Sequence, residues 1–574
     1  MEKPWLKHYE PGVPAALEYP ASPVHRLLED AALRYPRQVA ALFPGRLGDG
    51  YRLTYRALDG LANRMANALL SLGIEKGDRV ALLLPNSPQF MIGYFGALKA
   101  GATVVAANPL YITPPPKVQA TRELIHTLED SGAKALVVLS RFYPAVAGMR
   151  GQGALRHLIV TNIKDYLPQP SRMLYTLLRE RKEGDRVELG RSEGLHTLSR
   201  LLREHPAKAP AVSVGPDDVA LLQYTGGTTG LPKAAVLTHR NIVAEVAQLR
   251  AWLPGAQEGR ERFLAVMPFF HIYGMAVVLC LGIHLGDTLV LAPRFEVANI
   301  LKLIGRYKPT YFHGVPTMYV AINNHPQTPR HDLRSIKVCL SGGAPLPLEV
   351  QEKFEALTGA RLVEGYGLSE STGASHCNPI FGSRKIGTIG VPLPDVECRL
   401  VDLETGQNDA PLGEPGELIL RGPQVMAEYW NRPQETAATL RNGWLYTGDI
   451  ARVDPDGFFT IVDRKKEMII AGGYNIYPRE VEEVLFEHPK VREAAVIGIP
   501  DAYRGETVKA LVVLKEGQSA TPEELVAFCR GKLARYKVPT AIEFRQELPK
   551  SAIGKVLRRV LMEEERQRLA AKKP

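Results

Sequence analysis

Two hydrophobic periods alternate along the first third of the chain, and that alternation restricts the fold more than any other feature. Arg79-Val80-Ala81-Leu82-Leu83-Leu84-Pro85 is an unbroken apolar run, and shorter ones follow at Thr103–Ala106 and Ala135–Leu139. Runs without polar alternation suit strands buried on both faces. Between and before them, apolar residues recur three and four apart. Val24, Leu27, Leu28, Ala31 and Tyr35 share one helical face, with Ser22 placed to cap it. Thr54 opens a helix carrying Leu58, Leu61, Met65 and Leu69 that stops at Gly73, and further helices are expected over 87–100 and 123–130. Strand and helix in turn predict βαβ units and a mostly parallel sheet covered on both faces.

A chain of 574 residues exceeds one ordinary core, so more than one domain is expected. From 396 to 461 the segments shorten and Gly/Pro turns multiply, which predicts a compact antiparallel β unit. At Val462-Asp463-Arg464-Lys465-Lys466-Glu467 the composition turns sharply charged and a fresh α/β pattern begins. The boundary is placed there, giving domains 1–463 and 464–574. The prolines at 114–116 predict a stiff surface loop.

The net charge of +10 suits anionic ligands or an anionic membrane surface, but it is spread along the chain. No basic cluster alternates with aromatics, so nucleic acid is not an expected partner. Five scattered cysteines without C-x-x-C spacing argue against a disulfide framework and a zinc site, and fit a reducing cytoplasm. The N-terminal segment lacks an apolar core of the secretory kind. One charge-free run, 263–286, is as long as the ~20 residues of a spanning helix, but Pro268, His271 and His284 interrupt it. It reads as a buried strand, a functional turn and a core helix. The Arg/Glu-rich stretch 172–208 reads as a solvated helical face, with membrane-surface contact as the alternative.

The chemistry is concentrated in Tyr224-Thr225-Gly226-Gly227-Thr228-Thr229-Gly230-Leu231-Pro232-Lys233, directly after the apolar run 219–222. The glycines let backbone N–H groups converge on an anion. The threonines add neutral donors, and Lys233 adds a point charge for phosphate oxygens. This is not the G-x-x-x-x-G-K-[ST] loop of kinases and ATPases, because Leu231 and Pro232 separate Gly230 from Lys233 and Ala234 follows.

The string closely resembles the phosphate loop of the adenylate-forming acyl-CoA synthetases, and further strings match that family in its order along the whole chain. The resemblance implies a role for each. In Met267-Pro268-Phe269-Phe270-His271-Ile272-Tyr273-Gly274, His271 orients the reacting acid. Ser341-Gly342-Gly343-Ala344-Pro345-Leu346 borders adenine and the acyl group through Gly343 and Ala344. In Glu364-Gly365-Tyr366-Gly367-Leu368-Ser369-Glu370, Tyr366 packs on adenine and Glu364, Gly365 and Gly367 line the nucleotide. Ser369, where threonine is usual, meets the α-phosphate, and Glu370 holds Mg²⁺ with Thr225 beside it. Asp449, in Trp444-Leu445-Tyr446-Thr447-Gly448-Asp449, binds ribose with Arg464 as partner. Lys466 is the hinge. Lys555, near the end of Leu548-Pro549-Lys550-Ser551-Ala552-Ile553-Gly554-Lys555, is the catalytic cation between the acid's carboxylate and the α-phosphate. Gly472, Gly473, Tyr474 and Met275 line the coenzyme A and acyl channels.

The fold implied is α/β: a large N-terminal AMP- and acyl-binding domain of layered α/β subdomains with a small β-barrel-like unit, and a small mobile C-terminal α+β lid. The activity implied is ATP-, Mg²⁺- and coenzyme A-dependent ligation of a fatty acid through an acyl-adenylate, by a cytoplasmic homodimer with peripheral contact at the inner membrane face left open. Asn108-Pro109-Leu110-Tyr111 and Gly422-Pro423-Gln424-Val425-Met426 resemble bacterial long-chain fatty-acid CoA ligases. Met275, where some relatives place an aromatic gate, and the proline loop leave chain length open. The alternatives are a medium-chain or aromatic acid, transfer to a carrier protein, or a non-catalytic nucleotide-binding module.

Overall fold

The computed structural model describes residues 3–45, 49–113, 118–190, 192–225, 231–471, 474–501, 503–551 and 554–571, so the prolines at 114–116 lie outside the described residues. The chain divides into two compact units. One comprises Trp5–Glu397 and Arg421–Leu445; the other comprises Met1–Pro4, Cys398–Leu420 and Tyr446–Pro574.

Two sheets form the larger unit. In the described residues of one, strands Arg361–Tyr366, Val338–Ser341, Tyr311–Gly314, Arg262–Ala265, Thr288–Leu291 and Val39–Phe43 lie side by side and parallel, with antiparallel strands at both edges. In the other, Val219–Thr225, Thr103–Ala106, Arg79–Leu83, Ala135–Leu139, His157–Thr161 and Leu195–Thr197 run parallel. Lys233–Thr238 and then Glu428–Tyr429 extend its other edge antiparallel. The three apolar runs thus become central neighbours, as their lack of alternation predicts.

Thr54 caps the helix Tyr55–Ser71 by accepting from the Ala57 amide at 3.3 Å, and Gly73 follows at φ +78°. Ser22 does not cap. The first helix, Arg26–Arg34, begins after His25, and the Val24 amide that a cap would have served is taken by His239 Nδ1 at 3.0 Å. The stretch 172–208 is not one helical face either. It holds helices Gln169–Leu178 and Leu198–Glu204 with the strand Leu195–Thr197 between them. Asp185 is buried and accepts from Ser140 Oγ at 3.1 Å and Arg141 Nε at 3.0 Å. Some of the charges there are internal ties rather than a solvated surface.

The run 263–286 follows its expected division: strand Arg262–Ala265, a turn, then a π-helix Tyr273–Cys280 continued by Leu281–His284. No helix among the described residues is long and apolar enough to cross a membrane.

The strand Trp444–Val453, which belongs to the smaller unit from Tyr446 onward, pairs antiparallel with Phe459–Arg464. Beyond it a second sheet runs Tyr474–Ile476, Ile469–Ala471, Gly505–Leu514, Val491–Asp501, with Ala541–Phe544 parallel to Gly505–Leu514. Helices Pro478–Phe486 and Pro522–Arg530 close over a core of Ile469, Val481, Leu485, Val496, Ala510 and Leu525.

Candidate active site

Val219–Thr225 and Lys233–Thr238 flank the glycine-rich segment. Gly226, Gly227, Thr228, Thr229 and Gly230 lie outside the described residues. The strands on either side are defined: Thr225 faces Lys233 in register and its hydroxyl donates to the Lys233 carbonyl at 3.3 Å. Lys233 Nζ lies 3.3 Å from Glu435 Oε2 and 3.6 Å from the centroid of the Tyr429 ring. The Tyr429 hydroxyl donates to Glu370 Oε1 at 2.6 Å. Burial first, and the Glu370 charge next, push the Tyr429 phenol up, so it stays a donor. One buried tyrosine therefore brings together the proposed phosphate lysine and the proposed metal carboxylate.

Glu370 sits in the short 3₁₀ turn Ser369–Ser371, just past the end of Arg361–Tyr366. Gly367 is required there, since a Cβ at that position would stand 1.5 Å from the Gly373 carbonyl oxygen. The neighbouring strand Val338–Ser341 leads to Gly343, at φ +79°, and Ala344. Glu364 ties the two loops: its buried carboxylate accepts from the Leu346 amide at 3.2 Å. Gly365 lies within the strand against Leu340, and the Tyr366 ring meets His376 edge-on at 6.0 Å. Gly343, Ala344, Tyr366, Gly367, Ser369 and Glu370 thus share the carboxyl ends of adjacent parallel strands, where open α/β sheets take ligands.

His271 lies on the turn between strand and π-helix. Asn86 holds that turn, donating to the Ala265 and Met267 carbonyls at 2.9 and 2.8 Å and accepting from the Phe269 amide at 2.8 Å. Gln223, two residues before Thr225, donates to the Phe270 carbonyl at 3.1 Å. His271 Nδ1 accepts from the Tyr273 amide at 3.2 Å, so in the neutral ring the proton sits on Nε2. Tyr273 packs against Gly342 and donates to the Leu340 carbonyl at 2.8 Å. Met275 is buried in the π-helix.

In the smaller unit, Asp449 and Arg464 face each other across the antiparallel pair, with Arg464 Nε 3.0 Å from Asp449 Oδ1. Lys555 belongs to the same neighbourhood. Burial, then Arg464, lower its ammonium to about 8 against the opposing pull of Asp449 and Glu467. Lys466 is exposed in a turn whose bonds run from the Glu467 and Met468 amides to the Arg464 carbonyl, at 2.9 and 3.1 Å. Gly472 and Gly473 lie outside the described residues; Tyr474 is 57% exposed and stacks on Tyr536 at 4.6 Å.

No cluster of three or more His, Cys, Asp or Glu able to hold a metal occurs among the described residues. Glu370 as a lone hard-oxygen donor beside a phosphate lysine suits Mg²⁺, which is commonly held by one or two carboxylates plus substrate phosphates. Sequence reasoning missed Tyr429, Asn86 and Gln223. Asn86 carried a faint signal, an amide placed straight after a buried strand; Tyr429 carried none beyond its closeness to the 422–426 string.

The family described as AMP-binding enzyme matches residues 28–430, and the AMP-binding enzyme C-terminal domain matches 480–555. The chain is 46% identical over 566 residues to the long-chain-fatty-acid–CoA ligase of Bacillus subtilis (strain 168), covering 98% of each. It is 42% identical over 573 residues to the ligase of that name from Yersinia pestis, again covering 98% of each. The crystal structure of the anthranilate CoA ligase AuaEII in complex with anthranoyl-AMP superposes with a TM-score of 0.82 at 30% identity, covering 96% of this chain and 99% of that one.

Proposed function

Because the chain belongs to the AMP-binding enzyme family, we propose that it joins a long-chain fatty acid to coenzyme A through an acyl-adenylate. In the first step a carboxylate oxygen attacks the α-phosphorus of ATP and pyrophosphate leaves. In the second the coenzyme A thiol attacks the acyl carbonyl and AMP leaves. The observation that carries this reading is the grouping of Lys233 and Glu370 around Tyr429 in a chain similar end to end to named ligases.

Each side chain then takes a role. Lys233 holds phosphate oxygens as charge builds on the leaving group. Glu370, with Thr225 beside it, would hold Mg²⁺, whose charge would add to that of Lys233 there. His271 Nε2 orients the fatty carboxylate, and buried Phe269 keeps water from it. Tyr366 and Gly343–Ala344 hold the adenine; Gly367 and Ser369 lie along the phosphates. Asp449 accepts from the ribose hydroxyls. Lys555 lets two anions approach and stabilises the charge of the transition state. We draw the domain boundary at 463/464 and assign Lys466 as the hinge for the second step, in which Lys555 withdraws and the Gly472, Gly473 and Tyr474 segment receives the thiol.

A fatty substrate is collected from a bilayer, and peripheral contact with an anionic cytoplasmic membrane surface is part of this reading. Its support is the helix Gln169–Leu178, which exposes Met173, Leu177 and Leu178 by 65, 73 and 65%. Arg172, Arg179, Arg181 and Lys182 lie on or just after it.

The test is coenzyme A-dependent AMP release across acids of increasing chain length. Catalytic efficiency is expected to rise steeply toward long chains, by about tenfold for each two methylenes buried. A maximum at medium-chain or aromatic acids gives the substrate class to the alternative, and no AMP release with any acid overturns the reading.

A further inference from the structure

Tyr429 occupies the place where the groups assigned to phosphate and to metal meet. Its backbone is held from several sides. Glu428 and Tyr429 pair with Val236 and Ala235, flanked by Ala427 N to Val236 O at 3.0 Å and Trp430 N to Ala234 O at 2.9 Å. Just before it, Asn241 Nδ2 donates to the Pro423 and Val425 carbonyls, both at 2.8 Å, and the Thr372 hydroxyl donates to the Gln424 carbonyl at 2.5 Å. The Met426 amide donates to the carbonyl of Glu370 itself at 2.8 Å. One short segment thus grips Glu370 by backbone and by side chain.

The ladder also explains the lysine. Lys233 and Ala235 lie on the same face of their strand, and Tyr429 is opposite Ala235, so Lys233 is its diagonal neighbour, within reach of a ring. We propose that Tyr429 is a positioning residue for both charged groups: its hydroxyl sets the Glu370 carboxylate and its ring face seats the Lys233 ammonium. The inference rests on the nucleotide reading above. A ring face attracts the ammonium without neutralising it, so among the described contacts phosphate displaces just the half-exposed Glu435. The phenol occupies Oε1 of Glu370, so Oε2 would be the oxygen to hold the cation.

Titration calorimetry of ATP binding to the full chain, in EDTA and then across a series of Mg²⁺ concentrations, separates the two contacts. Tyr429→Phe keeps the ring, so affinity in EDTA is expected to stay within about twofold of the parent while the Mg²⁺ midpoint rises about tenfold. Tyr429→Leu loses both contacts, and affinity in EDTA is expected to fall about fivefold as well. A Tyr429→Phe midpoint equal to that of the parent, or equal losses in EDTA for both variants, overturns the inference while leaving the nucleotide reading standing. A parent chain that binds no ATP overturns that reading itself. Should Tyr429→Leu fail to fold, a cycle with Glu370→Gln decides: Tyr429→Phe must add nothing to the midpoint in that background, and an additive effect overturns the proposal.

Discussion

Lys555 is surrounded by charge of both signs. Burial and Arg464 lower its ammonium to about 8, Asp449 and Glu467 oppose them, and Arg558 reinforces them. The cation is present below that value and lost above it. If adenylation needs the charge, kcat/KM for acid-dependent ATP/pyrophosphate exchange falls above pH about 8 with a one-proton slope, whereas thioester formation from supplied acyl-adenylate shows no such limb. Lys555→Ala is expected to cost the exchange reaction about 10²–10³-fold and to spare the second half-reaction. Equal loss in both assays would falsify the assignment. Lys555 was legible because its string survives as a local pattern, and the same holds for Lys233, Glu370 and Asp449. Tyr429 was not, because its role comes from pairing with a strand distant in sequence, and a lone tyrosine has no local signature of that.

Among the elements, the helix Gln169–Leu178 carries the membrane proposal. Three exposed apolar side chains beside several cations give both terms of interfacial binding, hydrophobic insertion and attraction to anionic lipid. Co-sedimentation with phosphatidylglycerol vesicles is expected to exceed that with phosphatidylcholine vesicles and to weaken with salt. Leu177→Asp is expected to cut it about tenfold without changing turnover of a short soluble acid. Unchanged sedimentation removes this helix from the contact. Sequence reached such elements unevenly, for a physical reason. The strands Thr103–Ala106 and Ala135–Leu139 stood out because burial on both faces leaves them wholly apolar. The helix Pro88–Lys99, buried all round, has no amphipathic stripe, and the Ser87 cap with the following proline marks its start instead. The π-helix Tyr273–Cys280 could not be told from an α-helix by period. The charges of 172–208 looked solvated because nothing local says that Asp185 pairs with Arg141.

For the whole molecule, strand order is the part that sequence left unread, since parallel strands are brought together by long crossovers and the two-residue strand Glu428–Tyr429 has no pattern to find. The two-step mechanism can nevertheless be tested as a property of the whole chain through Lys466. The turn there is held by amides of Glu467 and Met468, so a proline at 466 removes neither of those bonds. Beyond the turn, Glu467 is paired with Arg558, which also takes Glu482 at 2.6 Å, so the chain past the hinge is tied to the helices Pro478–Phe486 and Arg558–Ala571. Rotation is then confined to the backbone of a few residues, and fixing φ at 466 near −65° removes one of its free dihedrals. Lys466→Pro is expected to slow one half-reaction by at least about tenfold while the other stays within about twofold, because each needs a different setting of that dihedral. Acid-dependent ATP/pyrophosphate exchange and single-turnover thioester formation from supplied acyl-adenylate read the two separately. A variant that slows both alike has lost its fold or its substrates, and thermal unfolding tells these apart. One that slows neither shows that the chain turns elsewhere, and the hinge assignment at Lys466 falls.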